Sequence, residues 1–203
     1  MFSTPKRVVW MVAAWALLML INYYYVPFFI LGIEWLGLCL FFLVATLVQV
    51  VRLVKNGKSG WLFRVQKTLL FITLLLLTFY NMPGKLIEKA DWAILFNRRM
   101  QIVAQVRSGE LKPNVSWNGW VCELPYEFPV VSNGGNDIGI ARNATGDTVT
   151  VSFWVFRNFF DAPSTYFVYT TDTAEIRHIE NKIREEPDHN WKLRDNWYRT
   201  MGD

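Results

Sequence analysis

The sequence predicts a membrane protein with three transmembrane α-helices followed by an α+β extracytoplasmic domain built on an antiparallel sheet. Three observations lead there. Charge is unevenly spread: residues 1–84 hold 8 of the 38 charged side chains, and residues 85–203 hold 30. Three long apolar runs fill the first of these stretches. Beyond Leu111 the pattern changes from helical spacing to alternation punctuated by turn residues. A chain with 52% apolar residues distributed in this way is neither a plain soluble globule nor a disordered chain. Two cysteines are too few for a disulfide-stapled miniprotein.

The apolar runs come first. One extends from Val8 to Tyr24 without a charge, a second from Phe28 to Val51 with Glu34 as its one charge, and a third from Thr68 to Met82. A helix rises about 1.5 Å per residue and a bilayer core is about 30 Å thick, so about 20 residues are needed. The second run spans comfortably. The first and third are near the short limit and are expected to recruit flanking residues. For the third this means extension inward, with Arg64 and Lys67 snorkelling to the headgroups. Lys6 and Arg7 ahead of an apolar core also open a signal peptide, but no small-x-small site follows. The sequence instead continues through Tyr23-Tyr24-Tyr25-Val26-Pro27, so the first run is read as a retained helix. That link joins two antiparallel helices. Its tyrosines suit the water–lipid boundary, and Pro27 stops the first helix.

Orientation follows from the basic residues. Lys6 and Arg7 precede the first run, and Arg52, Lys55, Lys58, Arg64 and Lys67 separate the second from the third, with no acid among them. The opposite link has no charge. By the positive-inside rule the N-terminus is cytoplasmic and residues 85–203 lie outside. The net charge of +4 therefore reflects topology: the inner segments contribute +7, Glu34 −1, and the remainder carries 14 basic and 16 acidic residues. This is no nucleic-acid footprint. The five residues Arg52, Lys55, Lys58, Arg64 and Lys67 are candidate contacts to anionic lipid headgroups. Glu34 is the ionisable group within the runs. It needs a proton, a hydrogen bond or water, and Asn22, Thr73 and Thr78 lie on neighbouring outer halves. An interhelical hydrogen bond is the favoured role, ahead of an ion or proton pathway.

Next, Met82-Pro83-Gly84 is expected to break the third helix. Leu86, Ile87, Ala90, Ile94, Leu95, Met100, Val103 and Val106 then recur at helical spacing, predicting an amphipathic helix over 85–108 that stops at Ser108-Gly109. Arg98 and Arg99 are assigned to its solvated face. Turn chemistry at Asn118-Gly119, Asn133–Gly135, Asn143–Asp147 and Asp161–Pro163 separates strand-like runs at 137–142, 148–157 and 164–171. A helix over 174–186 follows, with Ile176, Ile179 and Ile183 on one stripe. The segment 190–201 closes the domain as a strand or hairpin that packs Trp191 and Trp197.

Catalytic chemistry is not evident in this pattern. His178 and His189 fit no metal-binding spacing. Cys39 and Cys122 fall on different sides of the membrane boundary and are not expected to pair. Ser132–Gly135 is glycine-rich but does not open a helix, as a phosphate cradle would. Asn114-Val115-Ser116 and Asn143-Ala144-Thr145 match glycosylation sequons, which in a bacterium are chance matches. No catalytic residue, metal ligand or cofactor is assigned. The aromatic residues are more telling. Half of a strand's side chains point away from its core, so a large ring in TVTVSFWVFR must be covered by a helix, lipid or a partner. Trp117, Trp120, Trp154, Phe159 and Phe160 are the candidate partner surface.

Arg107-Ser108-Gly109-Glu110-Leu111-Lys112-Pro113, Leu124-Pro125, Ser132-Asn133-Gly134-Gly135, the Phe153–Tyr169 run and Asn196-Trp197-Tyr198 together resemble the outer domain of small, uncharacterised bacterial membrane-anchored proteins. The resemblance covers roughly residues 98–201. It implies a bacterial inner-membrane origin and brings no activity or catalytic residue with it. The resulting expectation is a multi-pass inner-membrane binding protein with a periplasmic domain. Its partners are the lipid bilayer and a protein, either a toxin or an envelope protein, which makes an immunity or accessory role the specific version. The competing readings are a membrane-bound envelope enzyme or a small ion-conducting component using Glu34.

Overall fold

The architecture comes from a computed structural model that describes residues 5–26, 28–55, 60–143, 146–158 and 163–202. Lys58, Phe159, Phe160 and Pro27, and parts of the turns at 143–147 and 161–163, lie outside the described residues. The described chain divides into two compact units. A helical unit takes α1 (Pro5–Tyr25) up to Leu20, α2 (Phe28–Lys55), α3 (Trp61–Phe79) and the start of α4 (Met82–Ser108) to Ile87. A sheet unit takes the end of α1 with its link from Ile21, and the chain from Glu88 onward.

Among the described residues, three helices are long and apolar enough to cross a membrane: Lys6–Tyr25, Phe29–Lys55 and Trp61–Phe79. Segments so rich in Leu, Val, Phe and Ile form helices wherever backbone groups must be satisfied internally. Phe42, Phe71 and Leu74 form the small buried core, flanked by Met11, Val12, Trp15 and Leu38. Thr78 joins three helices. Its hydroxyl accepts the Trp15 indole N–H at 3.0 Å, and its carbonyl accepts that of Trp35 at 3.2 Å. α3 starts at Trp61, seven residues before the apolar run itself, so the inward extension places Arg64 and Lys67 inside the helix. The Lys67 ammonium lies 4.3 Å from the centre of the Phe63 ring.

One boundary differs from expectation. Met82-Pro83-Gly84 does not break a helix; it opens α4, because proline is tolerated in a first turn where its missing N–H has no partner to lose. The break is Tyr80-Asn81, with Asn81 in the left-handed region at φ 48°. A side chain on Gly84 would stand 2.6 Å from the Asn81 amide oxygen, so the Asn81 side chain packs into the space glycine leaves there.

The sheet unit contains β1 (Val121–Glu123), β2 (Asp137–Arg142), β3 (Val149–Phe156), β4 (Thr165–Thr170), α5 (Thr173–Glu185), β5 (Trp191–Arg194) and β6 (Trp197–Met201). The strands form one antiparallel sheet in the order β1-β2-β3-β4-β6-β5. β2, β3, β4, α5 and the closing hairpin fall within a residue or two of their predicted limits. β1 was not anticipated. It is three residues long and is held at the edge partly by a side chain: Asn114 accepts the Glu123 N–H at 2.8 Å and donates to the Glu123 carbonyl at 2.9 Å, as a strand neighbour would.

Alternation along the strands builds two cores. Ile138, Ile140, Val151, Phe153, Phe167, Tyr169 and Trp197 face α4, where Ile102, Val103 and Val106 meet them. Val168 and Tyr198 face the other way, onto Ile179 of α5. The sheet is therefore covered on both faces, by α4 on one and α5 on the other. α4 ends as anticipated at Gly109, whose φ of 78° suits glycine, and the Gly109 and Glu110 N–H groups return to the Val106 and Gln105 carbonyls.

α4 buries the expected stripe only in part, through Val103 and Val106, and adds Asp91, Arg99 and Ile102 to the buried face. Asp91, Arg99, Ile102, Val103 and Val106 are buried, whereas Leu86, Ala90, Ile94 and Met100 are exposed. Arg99 is accordingly not on a solvated face; it is 1% exposed. Burial is favourable because its charge is matched and all three of its nitrogens donate.

Candidate functional site

The most elaborate polar arrangement in the sheet unit is the one around Arg99. Its Nη2 lies 2.6 Å from the buried Asp91 carboxylate, its Nε donates to the Val131 carbonyl at 3.0 Å, and its Nη1 donates to the Asp91 carbonyl at 3.2 Å. The same carboxylate accepts the Tyr24 hydroxyl at 3.0 Å and the Tyr23 hydroxyl at 3.4 Å. The Asn133 amide donates to the Tyr23 carbonyl at 2.8 Å and to the Val155 carbonyl at 2.6 Å. The Arg99 guanidinium also lies 4.9 Å from the centre of the Phe167 ring. A buried pair of this kind gains from many satisfied bonds what it loses in desolvation. With every partner supplied by the chain, the cluster works as a clasp between α4, the 131–133 loop and the Tyr23-Tyr24 segment.

Sequence reasoning missed this cluster because two charges on an amphipathic helix read as solvated. A signal was present. Asp91 and Arg99 share the helical face of Leu95, Ile102 and Val106, where an exposed charge would have no access to water.

The glycine-rich Ser132–Gly135 segment is a structural strap. The Ser132 hydroxyl accepts the Trp154 N–H at 2.9 Å, and the Asn133 N–H returns to the Trp154 carbonyl at 2.7 Å. Asn136, in the left-handed region at φ 59°, organises the preceding loop. It accepts the Val131 N–H and donates to the Tyr126 and Pro129 carbonyls.

The candidate partner residues separate. Trp154 is buried on the face away from α4, between Trp120 and Tyr166, each with its ring centre 5.5 Å away, and with the Arg157 guanidinium 4.7 Å from its own. Trp120 lies flat over Gly139, where a Cβ would come within 2.6 Å of the indole, so the tryptophan occupies the space that glycine leaves open. It remains 45% exposed, and Trp117, three residues earlier on the same turn, is 71% exposed. Phe128 is a further exposed ring, on the loop after β1.

The remaining candidates are dispersed. Glu34 and Asn22 are half-buried, and the two fall in different units. Thr78, a possible neighbour of Glu34, is engaged by the two tryptophans described above. Arg52 and Lys55 are exposed at the end of α2, and Arg64 and Lys67 are half-buried in the first turns of α3.

Cys122 is completely buried in the sheet core, where burial, reinforced by the negative charge of Asp137, pushes its thiol above the ordinary range. It is held as an unreactive thiol. His178 and His189 are exposed. Among the described residues, no group of three or more His, Cys, Asp or Glu side chains is placed to hold a metal ion. A shallow hollow of about 550 Å³ opens beside Phe96, Met100, Arg194 and Trp197, with the Trp197 indole 3.2 Å from the Met100 sulfur. Compared with known proteins, the chain matches no family model, no curated protein and no solved structure.

Proposed function

We propose that this chain is a bacterial inner-membrane binding protein. Three helices anchor it, the N-terminus is cytoplasmic, and the periplasmic sheet domain recognises a protein partner, a toxin or an envelope protein, in an immunity or accessory role. The membrane part rests on three apolar helices whose surfaces the chain leaves largely uncovered: none of the most apolar stretch of the first is buried, and only 28% of that of the third. It rests equally on the seven basic residues that flank one set of helix ends.

The observation that carries the binding role is the turn Trp117-Asn118-Gly119-Trp120. Indoles are costly to leave in water and are enriched where proteins meet partners. Trp120 is braced from below by Gly139 and Trp154, so a partner would find a rigid surface with little side-chain entropy left to lose.

The test is site-specific photocrosslinking in intact cells. A benzoylphenylalanine in place of Trp117 should give a discrete protein adduct, identified by mass spectrometry as a toxin or envelope protein. Trp117→Ser should abolish its co-purification with the full-length chain while leaving the thermal midpoint unchanged. No protein adduct from Trp117, or co-purification indifferent to its loss, would overturn the binding role.

A further inference from the structure

The apolar residues of α4 divide between two faces. One is the core face. The other has Met82, Leu86, Ala90, Ala93 and Ile94, which fall within an arc of about 120° at 100° per residue. All five are exposed, Leu86 by 62% and Ile94 by 76%. Such a stripe has no place in water on a helix whose opposite side already has its core. Farther along the same face the polar, exposed Asn97 and Gln101 alternate with exposed Met100 and Ala104, so the unbroken apolar stripe ends at Ile94. The lysines Lys85 and Lys89 are exposed along one flank of the apolar stripe. The intervening acid, Glu88, is turned away to pair with Arg199 at 3.1 Å.

We infer that the amino-terminal half of α4 is an interfacial helix: its Leu86–Ile94 stripe lies in the outer leaflet's headgroup layer, with Lys85 and Lys89 on lipid phosphates. The inference rests on the membrane reading above. Two observations select lipid as the occupant. α4 starts two residues after α3 ends at Phe79, so its first turns emerge at the bilayer boundary. In addition, Lys85 and Lys89 on its flank supply the positive charge that lipid phosphates attract.

The pattern of an apolar stripe with flanking lysines is that of helices lying in an interface.

The test uses the full chain in vesicles of phosphatidylethanolamine and phosphatidylglycerol, with benzoylphenylalanine placed singly at Leu86, Ile94, Arg107 or Val44. The α4 sites are exposed and tolerate the larger ring. After irradiation, mass spectrometry should find lipid adducts at Leu86 and Ile94 at several times the level at Arg107, which lies on the same helix beyond the stripe. Val44, exposed in the middle of α2, reports on the membrane reading itself. Lipid adducts at Val44 with none at Leu86 or Ile94 would overturn the inference and leave the anchor standing. Adducts of twice the chain mass at Ile94 would overturn it in favour of a second copy. Absence of lipid at Val44 as well would remove the membrane reading and this inference together.

Discussion

Arg99 is buried among aromatic and aliphatic side chains, and its charge is tolerable there only because Asp91 and the Val131 carbonyl meet it. Taking away the guanidinium strands a carboxylate in the same environment, and such losses cost about 3–5 kcal/mol. Arg99→Ala should therefore lower the stability of the sheet unit by that amount in thermal or denaturant unfolding of the full chain in nanodiscs. Tyr24→Phe removes a single half-buried hydroxyl from the same carboxylate and should cost about 1 kcal/mol. If the two substitutions cost the same, the ion pair is not what the clasp depends on. Both residues were legible as individual features of the sequence, a basic residue on a helix and a boundary tyrosine. Their meeting at Asp91 was not legible, because Tyr24 lies 67 residues before that carboxylate and no local spacing encodes that distance.

At the scale of elements, what was legible had a local cause. β2, β3 and β4 are six to eight residues of alternating, β-branched and aromatic sequence bounded by Gly, Asn, Asp and Pro, so pleat and turn chemistry agree on their limits. β1 was missed because three residues carry no period, and at Glu123 the pairing on its outer edge comes from the Asn114 side chain. The buried face of α4 was only partly assigned, Val103 and Val106 correctly and Leu86, Ala90, Ile94 and Met100 not, because the helix has apolar residues on two sides. Neither periodicity nor composition distinguishes a face that meets a sheet from one that meets something else.

α5 shows how a cap sets an element's start. Asp172 accepts the Ala174 N–H at 2.8 Å, the Glu175 N–H at 3.4 Å and the Thr148 hydroxyl at 3.0 Å. Those bonds hold its carboxyl below the ordinary carboxylate range, the Ala174 N–H being the largest cause. A carboxyl depressed on folding contributes stability above its unfolded value, near 4, and loses it as pH falls through the lower folded value. Asp172→Ala should lower the thermal midpoint by a few degrees at pH 7. The difference from the parent chain should narrow as the pH is taken below about 4, followed by circular dichroism. A difference that stays constant through that range would mean the cap acts without its charge.

For the whole molecule, the decisive quantity is where the basic residues lie. Two precede the first helix, Arg52, Lys55, Lys58, Arg64 and Lys67 lie between the second and third runs, and the opposite link has none. Moving a charged side chain through a bilayer centre costs several kcal/mol, so segments rich in Lys and Arg stay on the side of synthesis. In the proposed topology the first ends are held in the cytoplasm, and three crossings would deliver residues 85–203 to the other side. A fluorescent protein fused after Asp203 should then stay dark in a bacterial host, while alkaline phosphatase at the same position should be active. Replacing the five central basic residues with Gln leaves two to set orientation, and the phosphatase signal should fall as a second orientation becomes populated. A fluorescent fusion in the parent chain would place the Trp117–Trp120 turn in the cytoplasm and remove periplasmic toxins and envelope proteins as its partners. The interfacial stripe of α4 would survive that result, because Lys85, Lys89 and their apolar neighbours suit either leaflet. Orientation and interfacial docking therefore stand or fall by separate measurements.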